Sequence, residues 1–337
     1  MALTEVTDFS HKGDFKEMTK IAFIFPGQGS QIVGMGQEFV SNAAESKVFY
    51  DNADKVLGFE LSKIMLEGPA EELTLTYHAQ PALLTTGVMV AEKLRAAGIN
   101  PDYAAGHSLG EYGALVIAGV LSFEDAVKMV HKRGLYMNEA VPAGQGAMAA
   151  ILGMELLPLR EVTDSITNDE TNNEEVQIAN INCPGQIVIS GTKKGVELAC
   201  IAAKEAGAKR AIPLVVSGPF HSDLMRPASE KLRGALEAIN LSIPKIPVIG
   251  NVWANELQDV SAIEHELMEQ VYCPVDWEGS VREMIAQGVD IFIECGPGKV
   301  LSGLVKKIDR SVMTYCVYDE ASLEAVVEAS KEWAINA

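Results

Sequence analysis

The chain has 337 residues, 48% of them hydrophobic, and a formal net charge of −19 at pH 7. This length and composition indicate a globular protein with one large domain, or with a large domain and a small one. The charge argues against nucleic acid as a partner, because a phosphate backbone is bound by clustered lysine and arginine, and only 27 of these residues stand against 46 acidic ones.

The apolar runs and the cysteines argue against a membrane protein, a disulfide-linked protein and a metalloprotein. The longest apolar runs, such as residues 114–121, are far shorter than the roughly 20 residues of a membrane span. No charged and apolar leader with a cleavage site is recognisable, so we expect a cytoplasmic protein without a membrane partner. The five cysteines are widely spaced and form no C-x-x-C pair, so neither a disulfide framework nor a metal site is predicted.

The first third of the chain alternates between strand-like and helical patterns. Residues 1–20 are polar and aperiodic, and we predict a poorly ordered N-terminal extension there. From the strand IAFIF at 21–25, short apolar runs alternate with longer helical patterns as far as a helix at 124–140. This alternation predicts an α/β fold in which helices cover a parallel sheet.

The middle of the chain has a different order of elements. GAMAAILG, VQIANINCPGQIVISG, a helix at 193–206 and AKRAIPLVV follow one another in a β-α-β-β-α-β rhythm. That rhythm is typical of a small ferredoxin-like unit. Beyond it, PVIGNV and VDIFIECG are predicted to return to the main sheet as buried strands.

One short stretch suggests a nucleophile. AAGHSLGEYGAL at 104–115 places Ser108 between two glycines in the pattern G-x-S-x-G, after an apolar run and before a helix. Glycines at these positions allow a sharp strand-to-helix turn that exposes the serine hydroxyl. The pattern is short, so the alternative of an ordinary serine in a tight turn stays open.

The glycine-rich loop FPGQGSQ follows the first strand. It does not fit the dinucleotide pattern G-x-G-x-x-G, because Ile32 stands where the last glycine is needed, and no phosphate-binding G-x-x-x-x-G-K-[ST] occurs. Two interpretations remain: the loop donates a backbone N–H to an oxyanion, or it only closes the first strand.

A nucleophilic serine requires a base, and the chain has six histidines. His221, in VVSGPFHSDLM, follows a β-branched run and lies where a loop would present it at a sheet edge, so it is the candidate by elimination. His107 adjoins Ser108, and we expect it to pack or hydrogen-bond instead. Spacing assigns no carboxylate to orient the base, and a backbone carbonyl is an alternative.

Several motifs together resemble one family. FPGQGSQ, QPALLT, GHSLGEYGAL, KRGLYMNEA, GAMAAILG, NCPGQIVISG, GPFHSDLM, YCPVDW and ECGPGKVL occur in the order found in malonyl-CoA:acyl carrier protein transacylases. The resemblance covers roughly residues 20–310. It departs from the family at Cys295, where an apolar residue is frequent, and in the acidic stretch TDSITNDETNNEEV.

The resemblance implies a fold and an activity. The fold would be an α/β-hydrolase-like catalytic domain over 21–142 and 214–320, interrupted by a ferredoxin-like subdomain over 143–213. The activity would be malonyl transfer from malonyl-CoA to acyl carrier protein for fatty-acid synthesis, through a malonyl-serine ester, with ping-pong kinetics and no cofactor.

The resemblance also implies roles for particular residues. Ser108 would be the nucleophile and His221 the base, while the main-chain oxygen of Gln270 would orient the histidine. Gln28 and Leu109 would supply the two backbone N–H groups of an oxyanion hole.

Arg133, in HKRG, would hold the malonyl carboxylate. Without the resemblance, an arginine near the middle of a helix is expected on a solvated face or paired with an acid such as Glu139. A serine hydrolase and a non-catalytic scaffold that binds carrier proteins are the rival functions, and the arginine argues against the hydrolase.

Acyl carrier proteins are acidic as a class, and this chain is acidic too. Docking would therefore need a local basic cluster. Two clusters are candidates: Lys209 with Arg210, and Lys306 with Lys307 and Arg310.

Overall fold

The structure is a computed structural model that describes residues 19–333. The predicted N-terminal extension lies outside the described residues as far as residue 18, and the first strand begins at Lys20. The described chain contains these strands: Lys20–Phe25 (β1), Tyr103–Gly106 (β2), Gly146–Leu152 (β3), Val176–Cys183 (β4), Gln186–Thr192 (β5), Arg210–Pro213 (β6), Val248–Ile249 (β7), Val275–Asp276 (β8), Val289–Cys295 (β9) and Met313–Val317 (β10).

Helices fill most of the intervals between the strands. In chain order the described helices are Gln37–Asn42 (α1), Ala44–Leu57 (α2), Leu61–Glu67 (α3), Ala70–Thr74 (α4), Thr76–Ala96 (α5), Gly110–Ile117 (α6), Phe123–Glu139 (α7), Leu156–Thr167 (α8), Lys193–Glu205 (α9), Arg226–Leu236 (α10), Val260–Glu269 (α11), Trp277–Ala286 (α12), Val300–Ile308 (α13) and Glu320–Ser330 (α14). Among residues 19–333, none of the helices combines the length and the hydrophobicity of a membrane span.

The predicted parallel sheet is present. Its strands run in the order β10-β9-β1-β2-β7, and all four pairings are parallel. Strand β1 is buried almost throughout, as expected for a central strand covered by helices on both faces. Because β1 and β2 pair up to Phe25 and Gly106, the loops that follow these two strands begin side by side. Ligands of parallel sheets bind at this carboxyl edge.

A second sheet of different construction lies between residues 146 and 276. Its order is β6-β3-β5-β4-β8, and all its pairings are antiparallel except that β8 runs parallel to β4. Alternate residues of the strands, such as Ala149 and Ile189, pack with Leu159 of α8 and Val196 of α9 in a separate core. The main chain therefore forms a mixed α/β structure with two sheets.

Helices α5, α7 and α14 show where the larger core lies. Helix α5 is buried along most of its length, and α7 packs against it through the face that contains Met129 and Arg133. Helix α14 begins at residue 320, where the catalytic domain is predicted to end, and its Leu323 and Val326 are buried in this same core.

Candidate active site

Ser108 lies in a sharp turn between β2 and α6. Its φ of +52° falls in the left-handed region that residues other than glycine rarely adopt. The flanking glycines are required by close approach, since a Cβ on Gly106 would lie 1.9 Å from the backbone of Gly110, and one on Gly110 would lie 2.0 Å from the oxygen of Phe25. The turn therefore has the geometry that the sequence pattern predicts.

His221 faces this turn, and its ring is within hydrogen-bond distance of the serine hydroxyl. Its Nε2 is 2.9 Å from Ser108 Oγ, and its Nδ1 is 2.7 Å from the main-chain oxygen of Gln270. Because a carbonyl oxygen only accepts, Nδ1 donates to it, and Nε2 is left to accept the serine proton. The structure thus brings together three residues that are 49 to 162 positions apart in pairs.

The surroundings keep the imidazole neutral. Burial, and next the nearby charge of Arg133, lower the pKa of His221 from 6.5 to about 3. At neutral pH the ring therefore carries one proton, on Nδ1, and Nε2 is free to act as an acceptor. A base has to be in this state before a serine can be activated.

Gln28 and Leu109 lie on the wall of the same cavity. Within residues 19–333, neither backbone N–H of the two donates to a backbone or side-chain acceptor. The side chain of Gln28 donates to Thr76 Oγ1, which in turn bonds to Ser217 Oγ. Both N–H groups are therefore free to donate to a group bound in the cavity.

Arg133 is buried, with 1% of its surface exposed, and its guanidinium reaches the serine. Its Nη1 donates to Gln80 Oε1 at 2.9 Å, and its Nη2 donates to Gln270 Oε1 at 2.8 Å and to Ser108 Oγ at 3.1 Å. Its Nε has no partner in the described chain. Neutral amides thus hold the cation on the cavity wall.

The two ordinary interpretations of this arginine do not apply. It does not lie on a solvated face, and Glu139 pairs with Lys231 instead. Within the described residues, Arg133 forms no salt bridge with a carboxylate. The cost of burying a cation without a counter-ion favours a negatively charged ligand at this place.

The cavity has a volume of about 280 Å³, and both polar and apolar residues line it. Ser108, His221 and Arg133 lie on its lining, together with other polar residues and with apolar side chains. Apolar side chains come from the second sheet, from helices and from a loop, among them Met148, Val188, Met137, Leu304 and Phe220. Within the described chain, no group of three or more His, Cys, Asp or Glu side chains is placed to hold a metal ion.

Several contacts of the site were not predicted from the sequence. Gln80, on α5, and the side chain of Gln270 hold the arginine, and Gln270 Nε2 also donates to the main-chain oxygen of Ser108. His107 also lines the cavity, but its ring bonds through Nε2 to Asn182 at 2.9 Å and not to Ser108. Glutamine side chains are uncharged and have no characteristic spacing in the sequence. Only their position in or beside the family motifs could have indicated that these two residues belong to the site.

Comparisons with known proteins show which family the chain is related to. The model of the acyl transferase domain matches residues 22–328. The malonyl CoA-acyl carrier protein transacylase of Bacillus subtilis is 58% identical over 320 residues, which are 95% of this chain and 100% of that protein. The protein of the same name from Escherichia coli K12 is 44% identical over 312 residues, covering 92% of this chain and 100% of that protein.

Solved structures agree with these relatives. An acyl carrier protein S-malonyltransferase from Vibrio cholerae superposes with a TM-score of 0.88 at 45% identity, over 91% of this chain and 100% of that one. A malonyl-transacylase solved in complex with a type II PKS acyl-carrier protein gives 0.89 at 42% identity, over 92% and 100%. The chain belongs to the malonyl CoA-acyl carrier protein transacylase family.

Proposed function

We propose that this protein transfers the malonyl group from malonyl-CoA to the phosphopantetheine thiol of acyl carrier protein, which supplies fatty-acid synthesis. The relatives at 58% and 44% identity are named for this activity and match along almost their whole length. A related malonyl-transacylase is known in complex with a carrier protein. Malonyl-CoA and acyl carrier protein are therefore the two partners.

One observation carries the choice of acyl group. The guanidinium of Arg133 is buried beside Ser108 without a carboxylate partner, and neutral amides hold it in place. A malonyl carboxylate would complete its hydrogen bonds through a charge-assisted pair and would neutralise the buried charge. A hydrolase of neutral esters has no use for such a cation.

In the first half-reaction, Ser108 Oγ attacks the thioester carbonyl while His221 Nε2 takes the hydroxyl proton. The carbonyl oxygen becomes negative and accepts from the N–H groups of Gln28 and Leu109. When the carbon–sulfur bond breaks, the coenzyme A sulfur receives the proton from His221. A malonyl ester remains on Ser108.

The second half-reaction repeats these steps with the carrier as nucleophile. The phosphopantetheine thiol gives its proton to His221, and its sulfur attacks the ester carbonyl. The carbon–oxygen bond then breaks and Ser108 Oγ takes the proton back. Since both halves pass through one covalent ester, ping-pong kinetics follow.

Gln270 replaces the carboxylate of the usual serine triad in this mechanism. Its main-chain oxygen accepts from His221 Nδ1 and so fixes the ring and its tautomer. A carbonyl has a partial charge, which stabilises an imidazolium less than a carboxylate would. Burial and the charge of Arg133 lower the pKa of His221 by more than this hydrogen bond raises it, so the free base stays neutral.

We also propose a division into domains. The parallel sheet with its helices would form an α/β-hydrolase-like catalytic domain over 21–142 and 214–320. Residues 143–213 would form a ferredoxin-like subdomain, supported by the chain order β3-α8-β4-β5-α9-β6 and the spatial order β6-β3-β5-β4. Reaction without a cofactor and a cytoplasmic location stay predictions from the sequence and the family.

A labelling experiment tests the function. The purified protein is incubated briefly with radiolabelled malonyl-CoA, with and without holo-acyl carrier protein. We expect stable label on the peptide that contains Ser108, and transfer of that label to the carrier thiol when carrier is added. Release of free malonate without carrier would indicate a hydrolase, label on a cysteine peptide would overturn the assignment of the nucleophile, and no label would indicate a scaffold.

A further inference from the structure

The side chain of Asn251 holds the strained turn at Ser108 through two hydrogen bonds. Asn251 follows β7, the strand next to β2, and is fully buried. Its Oδ1 accepts from the N–H of Ser108 at 2.7 Å, and its Nδ2 donates to the oxygen of Gly106 at 2.7 Å. The carboxamide thus fixes the backbone on the N-terminal side of the nucleophile, while the N–H of Leu109 stays free.

Asn251 is in turn held by two buried carboxyl groups. Its own N–H lies 2.9 Å from Glu111 Oε2 and 2.6 Å from Glu266 Oε1, and the N–H of Val252 also donates to Glu266 Oε1. The two glutamates are 0% and 1% exposed. The other oxygen of each has no partner in the described chain.

No cation lies in contact with this glutamate pair among residues 19–333. Two charged residues outside the pair act on it: Arg133 on α7 acts on Glu111, and Glu269 on α11 acts on Glu266. Burial raises the pKa of both carboxyl groups, and the charge of Glu266 raises that of Glu111 further. Two acids that converge on one N–H without a counter-ion favour the state in which they hold one proton between them.

The pair connects the two halves of the reactive centre. Glu111 lies in the first turn of α6, the helix that begins at the nucleophile turn. Glu266 lies on α11, one turn before Gln270, which accepts from His221 and donates to the oxygen of Ser108. The helix that follows the nucleophile turn and the helix that ends just before Gln270 are therefore joined at Asn251.

We propose that Asn251 is a positioning residue of the acyl-transfer site, and that Glu111 and Glu266 hold it in place by sharing one proton. The inference rests on the proposed function because it takes Ser108 as the nucleophile. It does not depend on the acyl group, since Asn251 acts on the backbone of Ser108 and touches no substrate.

A fluorophosphonate probe measures this role without any acyl substrate. Ser108 Oγ displaces fluoride from phosphorus and its proton passes to His221, so the labelling rate reports the activation of the serine. We expect Asn251→Ala to slow labelling by roughly tenfold to a hundredfold, the range of a misplacement of about 1 Å. Circular dichroism and the melting temperature establish that the variant is folded.

Ser280→Ala is the matched control. Ser280 is buried and donates to the oxygen of Gly250, next to Asn251, but it does not contact the nucleophile turn. We expect this variant to lose stability and to label at the rate of the unmodified protein. Labelling of Asn251→Ala at that same rate, or equal slowing in both variants, would overturn the positioning role.

Substitutions at Glu111 test the shared proton. They also test the positioning role if Asn251→Ala does not fold. Glutamine keeps an acceptor for Asn251 and gains a donor for Glu266, as a protonated acid would, whereas alanine does neither. We expect Glu111→Ala to label slowly and Glu111→Gln to restore most of the rate. Equally slow variants would overturn the shared proton. Normal labelling of Ser108 without malonyl transfer would instead overturn the proposed function and leave the positioning role standing.

Discussion

The two sheets meet at one cavity and contribute different things to it. The parallel sheet ends there in loops that carry Ser108 and Gln28, and their conformations are fixed by close backbone packing. The second sheet presents alternate side chains such as Met148 and Val188, whose neighbours in sequence face the separate core under α8 and α9. The loops of the parallel sheet position the reactive atoms, whereas the second sheet contributes mainly apolar side chains to the cavity wall.

The two sheets also differ in how far they are exposed to solvent. Strand β1 is central and buried, while β6 pairs only with β3 and leaves Arg210 and Ile212 exposed. A group that makes or breaks bonds has to be held rigidly, whereas a surface that recognises a large partner has to be accessible. We therefore expect changes at the parallel sheet to alter chemical rates and changes beside the second sheet to alter carrier binding.

The largest effect is expected at His221. His221→Ala should lower the rate of malonylation of Ser108 by at least roughly a hundredfold, because the serine loses its general base. His107→Ala is the matched control, since its ring also lies beside the cavity but bonds to Asn182. Rapid-quench measurement of the acyl-enzyme checks both. A large loss in the control with little loss in His221→Ala would reverse the assignment of the base.

Arg133 separates acyl selectivity from catalysis. Arg133→Ala should lower malonyl transfer by at least roughly a hundredfold, because each hydrogen bond to a charged group contributes about 1.5 to 3 kcal/mol and the guanidinium can donate two. Acetyl transfer should be retained or increased, since a buried cation no longer faces an uncharged group. Both acyl-CoA substrates are assayed on the same preparation.

Arg133→Lys sharpens this result. Lysine keeps the charge but lacks the planar fork, so we expect it to recover only a small part of malonyl transfer. If malonyl and acetyl transfer fall together in Arg133→Ala, or if malonyl transfer is unaffected, the arginine is not the carboxylate anchor.

The features predicted best from the sequence are those fixed by local pattern. The alternation of strands and helices indicated the parallel sheet, and the strand predicted at 21–25 corresponds to β1. The glycines around Ser108 indicated the turn, because a side chain at either position would collide with backbone. Strand β8 has two residues, too few for a recognisable period, and it was not predicted.

The contacts that complete the site depend on distant parts of the chain. Gln80 lies 53 positions from Arg133, Gln270 lies 137 positions from it, and Asn251 lies 143 positions from Ser108. A neutral amide leaves no mark of charge or periodicity in the sequence, so only the folded chain reveals these partners. The resemblance supplied the main-chain role of Gln270, but not the two bonds of its side chain.

The pH dependence of acylation tests the burial of the base at the parallel sheet. Because burial and Arg133 lower the pKa of His221 to about 3, the ring is neutral throughout the range from pH 5 to 8. The value of kcat/KM for malonyl-CoA should therefore show no acid limb near 6.5, where a solvated histidine titrates. Stopped-flow acylation at constant ionic strength measures it. A loss of roughly thirtyfold between pH 8 and 5 would mean that the ring has its ordinary pKa of about 6.5.

The smallest effect is expected on the side of the second sheet. The two basic clusters lie on either side of the turn between β4 and β5: Lys307 Nζ reaches Gln186 Oε1 at 3.1 Å, and the side chain of Lys209 lies over Gly153, whose N–H bonds to the oxygen of Gly185. Gln186 lines the cavity, so Lys307 contacts a residue of the cavity wall, and Lys209 lies beside the adjoining turn.

Reversing the charge of Lys209 and Arg210, or of Lys306 and Lys307, should raise KM for the acidic carrier while KM for malonyl-CoA stays nearly constant. The rise should be about fivefold, since an exposed ion pair contributes up to about 1 kcal/mol and salt screens it further. Reversal of Lys47 and Lys55, which are exposed on α2, makes the same change in net charge away from the cavity. If this control raises KM for the carrier equally, the overall field and not a local cluster decides docking. If a variant beside the second sheet lowers the malonylation rate of Ser108 instead, the two sheets do not divide chemistry from recognition.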